Sequence, residues 1–432
     1  MILKIAFYTL GCKVNQYESQ AMSEKAAANG FELVTPDADA DVYVVNSCTV
    51  TAESDRKTRQ AVRKFKRNHP DSIVVLTGCM PQAFPQDAEK LEQADIVLGN
   101  KNNFRLFELI NRYFICGQRI IDIEEHKTGD KFTGGDISGF EHRTRAVVKI
   151  EDGCNRFCSY CIIPYSRGRV RSKPIDELKC ELQKLSDSGF AEVVLVGINL
   201  SAYGSDIGLS ICDAVELAAG MNFKRVRLGS LEPDHITDEV IERLARLDNF
   251  CPQFHISLQS GCDNTLRAMN RHYTAAEYRE LCRKLRRHFP DATITTDIMV
   301  GFPTESEEDF AENVRFAQEI GFEKVHVFPY SPREGTKSAK MPQIEKSVKE
   351  KRSHIMIEKT EEVRQKFLKA QVGKTVDVLL ETRHSDGFTE GYTKNYTPVK
   401  VGGDLACGKI ATVRIVGVDG DFCIGEKIGE KI

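Results

Sequence analysis

Residues 151–171 read EDGCNRFCSYCIIPYSRGRVR and set Cys154, Cys158 and Cys161 in a Cys-x3-Cys-x2-Cys pattern. Three thiolates on one tight loop can hold three irons of a [4Fe–4S] cube and leave the fourth without a protein ligand. Electron-transfer clusters are normally closed by four cysteines, so an open iron is a place for a substrate to bind. The competing readings are a zinc knuckle and a chance group of buried cysteines. Zinc sites usually pair one Cys-x2–4-Cys with a second pair or with histidines downstream, and no such partner follows here.

The triad follows AVVKIED, the first of six strand-like runs separated by helical patterns. The others are EVVLVGI, RVRLGSL, FHISLQS, TITTDIMV and KVHVFPY. Six such units over 146–341 predict an open, partial (β/α)6 TIM-like barrel, whose site lies at the C-terminal ends of the strands. The polar residues at those ends are Asn199, Ser230, Glu232, Gln259, Asp297 and Tyr330. Thr304 and Glu307 are expected to form a capping box that opens the helix after the fifth strand.

Upstream, residues 1–124 alternate KIAFYTL, DVYVVNS and SIVVLTG with helix-like stretches, which predicts a doubly wound parallel sheet. Cys12, Cys48 and Cys79 each follow one of these strands. In a parallel sheet every strand ends on the same edge, so the three are expected to meet at one rim as a second three-thiolate site. The alternative is three small buried residues. Residues 125–145 are Gly-rich and polar and read as a linker. Downstream, 342–371 reads as one charged helix, and 372–432 as a small antiparallel β-barrel of short strands with Gly and Asp turns. The eight remaining cysteines show no ligand spacing; Cys262, beside the SLQSG turn, is the one nearest a strand end.

The net charge of −3 gives no global signal for nucleic acid, so any RNA contact has to come from local patches. No stretch approaches the roughly 18 apolar residues of a membrane span. The opening MILKIAFYTLGC, with Lys4 in its middle, is too short and wrongly charged for a signal peptide. Fourteen cysteines without a signal peptide point to a reducing compartment and metal use, hence to the cytoplasm.

The triad loop resembles the radical S-adenosylmethionine (SAM) signature. Together with TLGCKVNQYES around Cys12 and NSCTVTAESDRKTRQ around Cys48, the chain resembles the radical SAM methylthiotransferases over essentially its whole length. Its motifs are closest to the branch acting on N6-threonylcarbamoyladenosine in tRNA. The isopentenyladenosine branch typically reads GCQMN and NTCxIRE at these places, and the branch acting on a ribosomal-protein aspartate typically has SEGC before its triad. The resemblance implies a tRNA substrate methylthiolated at C2 of the base next to the anticodon, and a TRAM-type RNA-binding domain at the C-terminus. It implies two [4Fe–4S] clusters, on Cys154, Cys158 and Cys161 and on Cys12, Cys48 and Cys79, with SAM at the first. It further implies a low-potential electron donor such as a flavodoxin or ferredoxin, and a sulfur donor. Gly197 and Asn199 stand where the family carries a GGE-like motif, and Ser230, Glu232, Gln259 and Asp297 are the other candidate SAM contacts.

Two basic stretches beside the cysteine loops are candidates for tRNA phosphates: Lys57, Arg59 and Arg63 after Cys48, and Arg167, Arg169 and Arg171 after the triad. Lys57 and Arg59 are also candidates for the threonyl carboxylate. The C-terminal segment has eight Lys/Arg against nine Asp/Glu, so its case for RNA rests on Phe388, Tyr392 and Tyr396, which either stack on bases or fill its core. Two readings from other classes are a two-cluster electron carrier and a zinc-stabilised RNA-binding protein. SAM cleavage separates the first from an enzyme, and metal analysis the second.

Overall fold

The computed structural model describes residues 2–139, 144–403 and 405–430. Residues 140–143 of the Gly-rich stretch, with Asp404 and Lys431 of the C-terminal charge count, lie outside them.

The first sheet is entirely parallel, with strand order β2-β1-β3-β4-β5-β6. Its strands are β1 (Lys4–Thr9), β2 (Glu32–Val34), β3 (Val42–Ser47), β4 (Ile73–Gly78), β5 (Ile96–Leu98) and β6 (Ile120–Asp122). β3 and β4 are buried at every position, as continuous apolar runs covered on both faces should be. Alternate residues feed opposite cores: Val42 and Val44 one, Tyr43 and Val45 the other. From β1 the chain runs to β2 on one side and β3 on the other. The loops after β1, β3 and β4 therefore crowd the switch point, where open α/β sheets bind ligands. Those loops carry Cys12, Cys48 and Cys79.

The helix α1 (Lys13–Ala28) begins directly after Cys12. Met22 and Ala26 pack on the sheet, while Val14, Tyr17 and Ala21 belong to the core of the next layer. One helix thus forms the wall between two bodies.

The second body is an open half-barrel of six parallel strand positions. These are β7 (Arg145–Lys149), β10 (Glu192–Val196), β11 (Arg225–Leu228) continued by β12 (Ser230–Leu231), β13 (Gln253–Ile256), β14 (Thr293–Val300) and β15 (Lys324–Pro329). Between β7 and β10 a two-stranded antiparallel ribbon, β8 (Glu151–Asp152) with β9 (Arg171–Ser172), closes the base of the cysteine loop. The helix over Glu307–Ile320 is opened by Ser306 and Asp309, which form the capping box, not by Thr304 and Glu307. Both pairs satisfy the spacing, and the chain turns at Ser306.

The Gly-rich stretch has no helix or strand up to Gly139, but it is not a loose tether. Ile137 is fully buried in the barrel core, its N–H donates to Glu181, and Asp136 pairs with Lys173. The charged helix covers Lys346–Lys369 and is pinned by Arg352 on Glu305 and by Arg364 on Asp421. A closed five-stranded barrel follows: β16 (Thr375–Arg383), β17 (Phe388–Thr393), β18 (Pro398–Gly402), β19 (Ile410–Asp419) and β20 (Phe422–Glu430). Four of its seams are antiparallel; β18 and β20 pair in parallel.

Candidate active site

At the switch point of the first sheet, two glycines let the cysteine loops touch. Gly78 has φ +96°, and a Cβ there would meet the Ser47 backbone at 2.5 Å; one on Gly11 (φ +117°) would lie 3.0 Å from Cys48 Cβ. Only glycine fits both the conformation and the space. Asn15 knits the loops: its Oδ1 accepts from Cys12 Sγ at 3.2 Å, and its Nδ2 donates to the Ser47 carbonyl at 3.0 Å. The three thiols sense one another. Cys48 is pushed up to about 11, first by burial and next by Cys79. Cys12 is raised by burial, opposed by Arg167, and raised further by Cys79.

The second triad lies at the rim of the half-barrel. Gly153 (φ +89°) faces the Arg169 carbonyl so closely that a Cβ would stand 1.9 Å from its oxygen. Cys154 N–H donates to the Gly168 carbonyl and Cys161 N–H to the Cys158 carbonyl, both at 3.0 Å. Burial raises Cys154 to about 12 and carries Cys161 higher, with Cys158 adding to both. Arg271 donates to Cys158 Sγ at 3.4 Å and clasps Glu232 with both arms.

Between the triads lies a buried ion network. Arg167, 1% exposed, donates Nε–H to Cys79 Sγ at 3.2 Å and binds Glu18 of α1 through both terminal nitrogens. Lys149 joins Glu18 at 2.8 Å to Asp152 at 2.6 Å, two residues before Cys154. Burial alone would raise Glu18 and Asp152, yet Arg167 and Lys149 hold both carboxyls below their ordinary values.

A cavity of about 680 Å³ opens inside the half-barrel. Cys12 and Lys13 reach it from the first body, and Gly197, Ser230 and Asp297 from the strand ends. Asn199 does not line it. It is buried behind Gly197, where its backbone N–H donates to Glu151 Oε2 at 2.7 Å. Glu151 Oε1 and Asn199 Oδ1 are both buried with no hydrogen-bond partner among the described residues. Burial, reinforced by Asp152, drives the Glu151 carboxyl far above its usual value. Gln259 adopts φ +66° and its backbone pairs with Asp297 and Met299, which fixes the rim without facing the cavity. Tyr330 is buried, its hydroxyl on Ser338, and is not a rim residue. Cys262 donates to Asp309 at 3.1 Å beneath its own turn.

The cavity floor is aromatic and basic. Tyr392 and Tyr396 stack on each other with centroids 4.4 Å apart, and the guanidinium groups of Arg227 and Arg145 lie 4.6 and 5.1 Å from the Tyr396 ring. The two tyrosines are therefore neither free for bases nor in the core of their own barrel. They cap the N-terminal end of the half-barrel. Lys13 is exposed where it lines the cavity, yet partial desolvation by the walls, and then Arg145 and Arg227, lower its ammonium to about 8.

Comparisons with known proteins agree with this architecture. Residues 4–99 match the model described as "Uncharacterized protein family UPF0004", 148–317 the radical SAM superfamily, and 369–428 the TRAM domain. The threonylcarbamoyladenosine tRNA methylthiotransferase MtaB of Bacillus subtilis is 36% identical, covering 95% of this chain and 93% of its own. The protein of that name from Aquifex aeolicus is 36% identical over 96% of this chain and 100% of its own. This chain belongs to the radical SAM methylthiotransferases. A second B. subtilis member of the family, tRNA-2-methylthio-N(6)-dimethylallyladenosine synthase, is 32% identical over 99% of this chain and 86% of its own. Among solved structures, the radical SAM methyltransferase TsrM of Kitasatospora setae shares the fold, with a TM-score of 0.55 at 13% identity over 77% of each chain.

Radical SAM methylthiotransferases use SAM and two [4Fe–4S] clusters. The donor sets fit such groups. Each triad brings three thiols together, on one loop or on adjoining loops, and a thiolate is stabilised when a metal compensates its charge. The tRNA candidates divide. Arg167 and Arg171 are buried, Arg171 being spent on the carbonyls of Arg167 and Arg169, so neither reaches a phosphate. Arg169 is exposed, 4.6 Å above the Phe157 ring. Lys57 and Arg63 line a separate groove of about 690 Å³ beside Leu10 on the helix α2 (Ala52–Asn68), and Arg59 is half-buried. Neither Lys57 nor Arg59 lines the central cavity. The sequence reading missed Glu18, Glu151, Arg271 and Lys13. Only Glu151, in the same EDGC run as the triad, gave a local signal.

Proposed function

We propose that this methylthiotransferase acts on N6-threonylcarbamoyladenosine next to the tRNA anticodon, giving the 2-methylthio derivative. Cys154, Cys158 and Cys161 hold the cluster that takes SAM, and Cys12, Cys48 and Cys79 hold the second. The observation that carries this reading is the single cavity into which Cys12 and the strand-end residues Gly197, Ser230 and Asp297 all open. A base bound there lies against Cys12 and the strand-end residues of the half-barrel. The bound cofactors supply one-electron cleavage of SAM, delivery of sulfur, and a methyl group from a second SAM.

The chain's own residues position and insulate. Arg271 fixes the Cys158 thiol and the Glu232 carboxylate in one clasp, so the rim cannot slide relative to the cysteine loop. Glu151, buried behind Gly197, accepts from the Asn199 backbone N–H at 2.7 Å and so fixes the loop after the second barrel strand where it meets the cavity. Arg167 and Asp152 hold the two cysteine loops at a set separation. The Tyr392–Tyr396 stack walls the far end of the cavity and limits the space open to solvent there. Lys57, Arg63 and Arg169 meet the tRNA backbone. The electron donor is a flavodoxin- or ferredoxin-type protein, a separate donor supplies sulfur, and the enzyme works in the cytoplasm. No helix among the described residues is long and apolar enough to cross a membrane.

Nucleoside mass spectrometry of total tRNA from cells with and without the gene tests the substrate. Loss of 2-methylthio-N6-threonylcarbamoyladenosine with accumulation of its unthiolated precursor is expected. An unchanged level of that nucleoside, with loss of the dimethylallyl counterpart, transfers the enzyme to the other tRNA branch.

A further inference from the structure

Lys13 follows Cys12 directly and its side chain lines the central cavity. Among the described residues it has no hydrogen bond and no ion pair. Of its charged neighbours, Arg145 and Arg227 repel it most strongly, and Glu192 and Cys12 attract it more weakly. Glu192 is already engaged. It accepts from Arg227 at 2.8 and 3.3 Å and stands 3.8 and 3.9 Å from Arg225 and Arg145. Glu381 is taken by Arg145 at 2.8 Å. Behind this group Arg227, 1% exposed, keeps Nη1 buried with no acceptor. Asp377 lies beside Arg225, and Glu323, which also acts on Arg227, is held by Arg364, so each carboxylate around the group already faces another cation. A buried donor without an acceptor is costly, and Lys13, exposed along the cavity wall, has no anion of its own, which is what an incoming carboxylate would supply.

We infer that Lys13, backed by the guanidinium of Arg227, is the subsite for the carboxylate of the threonylcarbamoyl group. The inference rests on the substrate reading above and deepens it: it names the residue that separates a carboxylate-bearing adenine from one carrying a neutral hydrocarbon tail. An ammonium–carboxylate bond in a confined site is short and charge-assisted. A site built around such a bond rejects a ligand that lacks it, because its own polar groups are then left unpaired.

The test compares two synthetic anticodon stem-loops on the cluster-loaded enzyme under anaerobic conditions. One carries N6-threonylcarbamoyladenosine and the other its methyl ester, which has the same shape without the charge. The wild-type protein is expected to prefer the carboxylate by about tenfold or more in Kd, the equivalent of one charge-assisted contact. In Lys13→Met the preference falls to about one while ester binding persists, and Lys13→Arg recovers part of it. An undiminished preference in Lys13→Met, or an equal loss for both ligands, overturns the inference. A measurement without variants covers the case of a misfolded mutant. Carbodiimide activates the bound carboxylate, an amine displaces it to form an amide, and the carbodiimide leaves as its urea. The amide is expected on Lys13; finding it on Lys57 instead overturns the assignment. SAM also carries a carboxylate, so SAM affinity is measured in parallel, and a Lys13→Met defect confined to SAM overturns the inference too. Should the wild-type enzyme bind neither threonylcarbamoyl ligand but take a dimethylallyladenosine stem-loop, the substrate reading itself fails, an outcome distinct from the others.

Discussion

Arg167 shows how far a single residue's role can lie from its sequence context. It stands among Arg169, Arg171 and Lys173 in what reads as a basic strip, yet only Arg169 of the four is exposed. Its N–H on Cys79 Sγ is the kind of contact that tunes a cluster's potential, and its carboxylate partner comes from a helix about 150 positions earlier. Lys149 and Asp152 complete the compensation that a buried guanidinium requires. Glu323, at the lower end of β15, carries a measurable pH signature. Burial raises its carboxyl to about 7 despite Arg364 nearby. A raised carboxyl holds its proton more tightly when folded, so its effect is to lower stability as pH rises from about 4.5 through 7. Glu323→Gln is expected to remove that part of the pH dependence in denaturant titrations at pH 5 and pH 8. An unchanged pH slope would show that Glu323 is not protonated in the fold.

At the scale of elements, α2 presents Lys57 and Arg63 on its outer side while Ala61, Val62 and Phe65 pack inward. Replacing Lys57 and Arg63 by Gln is expected to weaken tRNA binding with little dependence on the modified base. The plot of log K against log salt should flatten by roughly 0.7–0.9 for each phosphate that is no longer neutralised. Binding that weakens with no change in salt slope would assign α2 another role. The turn between β17 and β18 acts by packing. Tyr396 stacks on Tyr392 and lies under two guanidinium groups, interactions worth about 1–2 kcal/mol together in a half-buried setting. Tyr396→Ala is expected to lower stability by at least that amount, and Tyr396→Phe to restore only the ring packing, because the hydroxyl also accepts from Arg145 at 2.9 Å. Thermal unfolding of the three proteins checks this. The same packing explains a near-neutral C-terminal barrel: part of its surface is spent on closing the half-barrel beside it.

For the whole molecule, Cys12 of one triad and Gly197, Ser230 and Asp297 of the half-barrel open toward one space, and the two cysteine sites are expected to divide the labour. Cys158→Ala is expected to abolish SAM cleavage, whereas Cys48→Ala leaves some cleavage but no thiolation of tRNA. Wild-type-like cleavage in both variants would contradict the division. Much of this plan is legible in one dimension. Strand ends before cysteines, glycines at Gly11, Gly78 and Gly153, and six strand–helix units are local patterns, and local patterns follow from backbone sterics and the two periods of secondary structure. The succession of strand–helix units and the placing of Cys12, Cys48 and Cys79 after the strands of one parallel sheet were therefore determined by the sequence alone. The tertiary structure alone decided which charges are inside, because burial depends on residues far apart in the chain. It turned Arg167 from a surface cation into a buried link, placed Tyr392 and Tyr396 on a cavity floor instead of an RNA face or the core of their own barrel, anchored the Gly-rich stretch in the barrel core through Ile137, and aimed Lys13 into the cavity. Each outcome is set by desolvation and by the partner that offsets it, and neither is encoded in spacing along the chain.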